Sequence, residues 1–80
     1  MAKTEVRSPL PGIFYRRPAP DQPPYKEAGD AVAQGDVIGL VEVMKSFNEV
    51  KATAAGKVVR FLVDNEGPVM AGQPLLEIDS

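Results

Sequence analysis

The sequence contains no cysteine and no histidine. Without cysteine there is no disulfide framework, and without either residue the usual ligands of a zinc site are missing. The same absence removes the commonest nucleophiles and the general base that works best near neutral pH. An enzyme acting alone would depend on carboxylates, lysines or tyrosines. We therefore expect a non-catalytic protein.

Long apolar runs and basic clusters are also missing. No run approaches the length of a membrane span, and residues 1–6 show no apolar signal-peptide core. The 9 basic residues face 11 acidic ones, which gives a net charge of −2. This balance disfavours nucleic acid as a partner, because phosphate binding needs a basic surface. We expect a cytoplasmic protein that has no membrane partner.

The chain of 80 residues is long enough for one small domain, which we expect to span residues 1–80. Its 7 glycines and 8 prolines interrupt the apolar segments before a helical period can build up. This punctuation is typical of short β-strands joined by turns. The sequence predicts strands at Glu5–Arg7, Ile13–Arg16, Val37–Val43, Phe47–Lys51, Lys57–Val63 and Pro74–Ile78, and turns at Ala28–Asp30 and Glu66–Pro68.

Two pairs of segments in the sequence resemble each other. Residues 32–41 align with residues 69–78 at an offset of 37 (69 − 32 = 37), and residues 12–16 align with residues 56–60 at an offset of 44 (56 − 12 = 44). Because 44 − 37 = 7, the first half holds about seven extra residues, which we assign to the proline-rich stretch Arg17–Pro24. We predict two similar β-layers related by a pseudo-two-fold axis, with this stretch as a stiff protrusion.

The two halves meet at Met44, Lys45 and Ser46. If the halves fold alike, these residues form a tight reversal between two strands. Such reversals favour positive φ, and hence glycine, asparagine or aspartate, none of which is present here. Backbone strain is tolerated mainly where a function needs the side chains. The junction is therefore the predicted functional site.

The segment Glu42–Val50, EVMKSFNEV, resembles the biotinylation motif of biotin carboxyl carrier proteins, in which a Met-Lys pair lies at a hairpin tip. The resemblance covers nearly the whole chain. Residues 8–16, 29–36 and 72–78 resemble the family's opening strand, the turn after it and the closing strand, and Arg17–Pro24 resembles the thumb of the acetyl-CoA carboxylase carrier. It implies an all-β fold, a flattened β-barrel or sandwich of two four-stranded antiparallel sheets with pseudo-two-fold symmetry (a barrel-sandwich hybrid).

The resemblance also implies a function. A biotin protein ligase would join biotin to the Lys45 amine, a biotin carboxylase would load it with a carboxyl group, and a carboxyltransferase would pass that group to an acceptor, usually an acyl-CoA. The chain would then be a carrier in a biotin-dependent carboxylase, such as the acetyl-CoA carboxylase of fatty acid biosynthesis. Flanking residues that the ligase would read are Glu42, Val43, Met44 and Ser46. Val43 replaces the family's usual alanine, and Ser46 its usual methionine.

Three other functions stay open. A lipoyl domain usually has its lysine after aspartate, whereas Met44 precedes Lys45 here, so biotin is preferred. An unmodified β-barrel scaffold would tolerate Lys45→Arg, which a carrier would not. An independent enzyme is disfavoured by the missing histidine and cysteine and by the small core. The chain lacks the N-terminal region by which longer carriers join their carboxylase, and from Met1 and Ser80 we expect a complete short protein.

Overall fold

The computed structural model describes residues 3–79, so the predicted domain limits at residues 1 and 80 lie outside the described residues. All regular structure in this range is β-strand. The strands are β1 (Lys3–Arg7), β2 (Gly12–Tyr15), β3 (Ala31–Val32), β4 (Val37–Val43), β5 (Ser46–Lys51), β6 (Gly56–Phe61), β7 (Gly67–Val69) and β8 (Pro74–Asp79). Within residues 3–79, no helix has the length and apolar character needed to cross a membrane.

The strands form two four-stranded sheets, ordered β1-β8-β6-β3 and β5-β4-β2-β7. Every neighbouring pair of strands is antiparallel. This architecture confirms the predicted all-β fold with two four-stranded antiparallel sheets.

The two sheets have the same register over two successive residue pairs, up to a β-bulge between Val58 and Arg60. In one sheet Phe14 pairs with Val41, and in the other Val58 pairs with Ile78. Adding the two sequence offsets to the first pair gives the second pair (14 + 44 = 58 and 41 + 37 = 78). The order of strands also corresponds, since β5-β4-β2-β7 maps onto β1-β8-β6-β3. The predicted pseudo-two-fold relation is therefore confirmed at the level of individual strand pairs.

The six predicted strands are present, but the prediction of a turn at Glu66–Pro68 was wrong in part. The turn lies earlier, where the Gly67 N–H donates to the Asp64 carbonyl at 3.0 Å, and Gly67 and Pro68 already belong to β7. β7 is an edge strand, where a proline without an N–H removes no ladder hydrogen bond. The predicted strand that ended at Val63 stops at Phe61, and Val63 packs against the core from the bend that follows β6.

The core lies between the sheets and is built from apolar residues of all eight strands, together with Ala52 directly after β5. Its members are Val6, Phe14, Val32, Ile38, Val41, Val50, Ala52, Val58, Val69, Leu75, Leu76 and Ile78. The central strands β4 and β8 supply five of these twelve side chains, so they are nearly continuous apolar segments. Gly39 interrupts β4 because a Cβ there would come within 2.5 Å of the Phe14 ring. The hairpin that begins with β4 thus has its base anchored in the core.

Candidate functional site

The hairpin of β4 and β5 ends in a two-residue tip formed by Met44 and Lys45. The last cross-strand pair is Val43 with Ser46. Met44 has φ +50° and Lys45 has φ +67°, the sign at both positions that a type I′ hairpin turn requires. The sequence-based prediction of a strained reversal at this junction is therefore confirmed, without any residue that favours such backbone angles.

The predicted site residues differ in their exposure to solvent: three are exposed at the end of the hairpin, and two are half-buried on β4. Met44 is 95% exposed, and Lys45 and Ser46 are also exposed. Val43 is half-buried and packs against the core, while Glu42 is half-buried on β4. No ion pair within 4.0 Å involves Lys45 among residues 3–79. The lysine amine is accordingly available to solvent and to other proteins.

Asn48 joins the two strands below the tip. Its side-chain amide donates to the Val41 carbonyl and to the Ser46 carbonyl, both at 3.2 Å. The first contact crosses the hairpin from β5 to β4, and the second stays within β5. Asn48 therefore has a structural role in holding the tip.

Tyr15 on the neighbouring strand β2 braces the hairpin through Glu42 of β4 and Phe47 of β5, and no pattern in the sequence indicated this. The Tyr15 hydroxyl donates to the Glu42 carboxylate at 2.9 Å. The rings of Tyr15 and Phe47 lie 5.8 Å apart at an interplanar angle of 56°, a favourable tilted geometry. Glu42, which we predicted as part of a ligase-recognition flank, is thus also fixed to β2.

The contact with Glu42 raises the pKa of Tyr15 above its ordinary value of 10.0, because the carboxylate accepts a hydrogen bond only from the neutral phenol. Partial desolvation and the negative charges of Glu42 and Glu66 act in the same direction. A pKa raised by folding stabilises the fold below the unfolded-state pKa, and this contribution is lost as the pH rises through the folded-state pKa.

We therefore expect Tyr15 to ionise above pH 10.0 in a Tyr25→Phe background, where it is the only tyrosine and absorbance at 295 nm reports it alone. Glu42→Gln should move the midpoint down, because the neutral amide repels no phenolate. A midpoint at or below 10.0, or one that does not respond to Glu42→Gln, would contradict the brace.

A groove of about 240 Å³ opens beside the hairpin. The residues that line it come from β2, from β5, from the proline-rich stretch and from the turn before β7. They are Tyr15, Arg17, Pro18, Ala19, Pro20, Phe47, Asn65 and Glu66. The stretch is tied at its base, where the Tyr25 N–H donates to the Arg16 carbonyl at 2.9 Å. The Arg16 N–H in turn donates to the Asn65 side chain at 2.8 Å. These bonds hold the base of the insertion beside the turn before β7, and the insertion forms one wall of the groove.

Comparison with known proteins agrees with this geometry. Residues 4–78 match the biotin/lipoyl family model, which is described as "Biotin-requiring enzyme". The chain belongs to the biotin/lipoyl family. The match includes both sheets and the hairpin with Lys45.

Curated relatives in the biotin/lipoyl family share much of the sequence. The chain is 45% identical over 74 residues to the biotin carboxyl carrier protein of acetyl-CoA carboxylase from Nostoc sp., covering 92% of this chain and 41% of that protein. It is 41% identical over 73 residues to the protein of the same name from Pseudomonas aeruginosa, covering 91% and 47%. The chain thus spans less than half the length of these relatives.

Solved structures of two carboxylases contain the same fold. The urea carboxylase of Kluyveromyces lactis matches 99% of this chain with 6% of its own, at a TM-score of 0.79 and 30% identity. A single-chain, multi-domain long-chain acyl-CoA carboxylase matches 94% of this chain with 7% of its own, at a TM-score of 0.75 and 28% identity. Both neighbours are carboxylases that contain this unit as a small part of a long chain.

Proposed function

We propose that this chain is the carrier unit of a biotin-dependent carboxylase, with biotin amide-linked to Nζ of Lys45. The observation that carries the proposal is the tip itself. Met44 and Lys45 both adopt positive φ, which costs a residue with a Cβ about 1–2 kcal/mol. No hydrogen bond or ion pair of either side chain within residues 3–79 offsets this cost. A function that needs both side chains exposed explains why they are there.

The residues near the tip suit a long, ring-bearing arm. Lysine supplies a primary amine on a flexible stem, and acylation removes its charge. Lysine and the biotin side chain together have about ten rotatable bonds and reach roughly 14 Å. Biotin, when bound, carries an activated carboxyl group on its ureido ring. The rigid hairpin keeps the attachment point clear of the body, and the tether keeps the ring at high effective concentration near two successive active sites.

This proposal assigns the chemistry to partners. A biotin protein ligase would attach the biotin, a biotin carboxylase would load it, and a carboxyltransferase would unload it to an acceptor. Acetyl-CoA carboxylase is the parent enzyme we propose, since the curated relatives are named as its carrier proteins. The chain itself would be non-catalytic and would act in the cytoplasm as one domain, with Arg17–Pro24 as a thumb that restrains the ring in the groove.

The proposal is tested by the intact mass of the chain after co-expression with biotin and a biotin ligase, with the adduct mapped by proteolysis. We expect a biotin-sized gain on Lys45. A lipoyl-sized gain would place the chain among lipoyl carriers, and no gain in the presence of the cognate ligase would favour the scaffold. Either of these results would overturn the proposal.

Met44 offers a second, quantitative test of the tip. Asparagine adopts positive φ more readily than methionine, so Met44→Asn should raise the free energy of unfolding by about 0.5–1 kcal/mol. The same change removes the most exposed apolar side chain of the tip, and we expect slower biotin transfer by the ligase. Urea unfolding and a timed ligation assay measure the two effects.

The control is Met70→Asn, which changes an exposed methionine that is not at a positive φ. It should leave both the stability and the ligation rate near those of the unchanged chain. Ligation of Met44→Asn at the unchanged rate would show that the ligase does not read Met44.

A further inference from the structure

Met44 is the most exposed of the large apolar side chains in residues 3–79, since 95% of it is accessible to solvent. The chain has no cysteine, so the thioethers of its 3 methionines contain its only sulfur atoms. Peroxides oxidise an accessible methionine thioether to the sulfoxide, and methionine sulfoxide reductases reverse the reaction. Met44 is therefore the residue of the hairpin tip on which such an oxidant acts.

The hairpin keeps the Met44 side chain outside the fold. Its φ of +50° belongs to the two-residue turn, and the last strand pair, Val43 with Ser46, closes that turn directly below it. The Val43 side chain already packs against the core, and Asn48 ties β5 to β4 below the tip. The sulfur of Met44 is thus held in solvent by the same backbone geometry that exposes Lys45.

Met70 provides an internal comparison. It is 68% exposed and lies directly after β7, at the opposite edge of the sheet from β5. Its backbone N–H donates to the Gln73 side chain at 3.0 Å, and its carbonyl accepts from the Gln73 N–H at 3.1 Å, so it belongs to a separate turn. Oxidation of Met70 would therefore place no polar group next to Lys45 in the hairpin turn.

We propose that Met44 is a site of reversible oxidation by peroxide, and that its sulfoxide form is a poor acceptor of biotin at Lys45. A lone pair of the Met44 sulfur attacks one peroxide oxygen and the O–O bond breaks. The thioether is oxidised to the sulfoxide, and hydrogen peroxide is reduced to water. The sulfoxide is polar, so it is costly to desolvate when a ligase closes on the tip to reach the neighbouring amine. This inference rests on the proposed function, because it takes Lys45 to be the attachment site.

The test measures the rate of biotin attachment by the ligase before and after treatment of the chain with hydrogen peroxide. The peroxide is removed before ligase, ATP and biotin are added, because biotin has a thioether of its own. Peptide mapping should show the gain of an oxygen atom at Met44 earlier than at Met70, since Met44 is more exposed. We expect the Met44 sulfoxide form to be biotinylated roughly tenfold more slowly. Treatment with methionine sulfoxide reductases should restore the rate.

Two variants assign the effect to one sulfur atom. Met44→Leu has a side chain of similar size without sulfur, so its ligation rate, whatever its value before treatment, should not change after peroxide. Met70→Leu retains Met44, so it should be biotinylated like the unchanged chain and lose the same factor in rate after peroxide. Both side chains are exposed, so neither variant should unfold.

The untreated chain separates a failure of this inference from a failure of the proposed function. An untreated chain that gains no biotin contradicts the proposed function. An untreated chain that gains biotin, at a rate equal to that of the chain with fully oxidised Met44, overturns the inference alone. An equal effect of peroxide on Met44→Leu, oxidation confined to Met70, or a rate that reduction does not restore overturns it as well.

Discussion

Lys45→Arg should abolish biotin attachment and reduce carboxyl transfer to background. Arginine keeps the positive charge and the length, but its guanidinium stays protonated and offers no free amine for amide formation. The fold should be unaffected, because Lys45 is exposed and forms no ion pair within residues 3–79, so we expect a change in unfolding free energy within about 0.5 kcal/mol. Intact mass and a urea unfolding curve on the same sample measure both effects.

The matched control is Lys51→Arg. Lys51 is an exposed lysine at the end of β5, on the same hairpin as Lys45 but at its base. This variant should gain biotin to the same extent as the unchanged chain. A biotin adduct on Lys45→Arg, or its loss in Lys51→Arg, would show that the attachment site lies elsewhere.

Phe14→Ala should cause the largest loss of stability, about 3–5 kcal/mol. Phe14 is fully buried in β2, packs 6.4 Å from the Phe61 ring and fills the space left by Gly39. Small domains have a total unfolding free energy of only about 5–15 kcal/mol, so this cavity removes a large share of it. We expect partial unfolding near body temperature. Circular dichroism during urea and thermal unfolding gives the magnitude.

Phe47→Ala is the control for Phe14→Ala. Phe47 is the same residue type in the same sheet, but it is 57% exposed, so its removal loses less buried area. We expect a loss of about 1 kcal/mol. Equal losses for the two variants would mean that the core is not centred where the structure places it.

The hairpin shows how far sequence alone reaches. The strand Val37–Val43 was predicted with its observed bounds, because it is an apolar run and because the junction of the two half-repeats marks its end at Val43. The internal repeat predicted the second sheet, because two segments with similar sequences that adopt the same fold also form the same strand pairs. The place of Lys45 at a reversal followed from the point where the two halves join.

The short strands β3 and β7 escaped sequence analysis. They have two and three residues, too few for an alternating pattern, and their conformation is set by the partners β6 and β2. Pro68 was taken for a turn residue because proline favours turns. It is compatible with a strand here only because β7 lies at the edge of its sheet.

The sequence by itself determined the two-layer fold, the insertion and the position of the exposed lysine, because each depends on local patterns of apolar residues, glycine and proline. Only the tertiary structure brought Tyr15 against Glu42, and Arg17 and Glu66 to one groove. These pairs are 27 and 49 residues apart (42 − 15 = 27 and 66 − 17 = 49). Contacts between residues so far apart in the sequence depend on the register of the sheets and on the paths of the loops. A single residue forms no sequence pattern from which such a contact could be predicted.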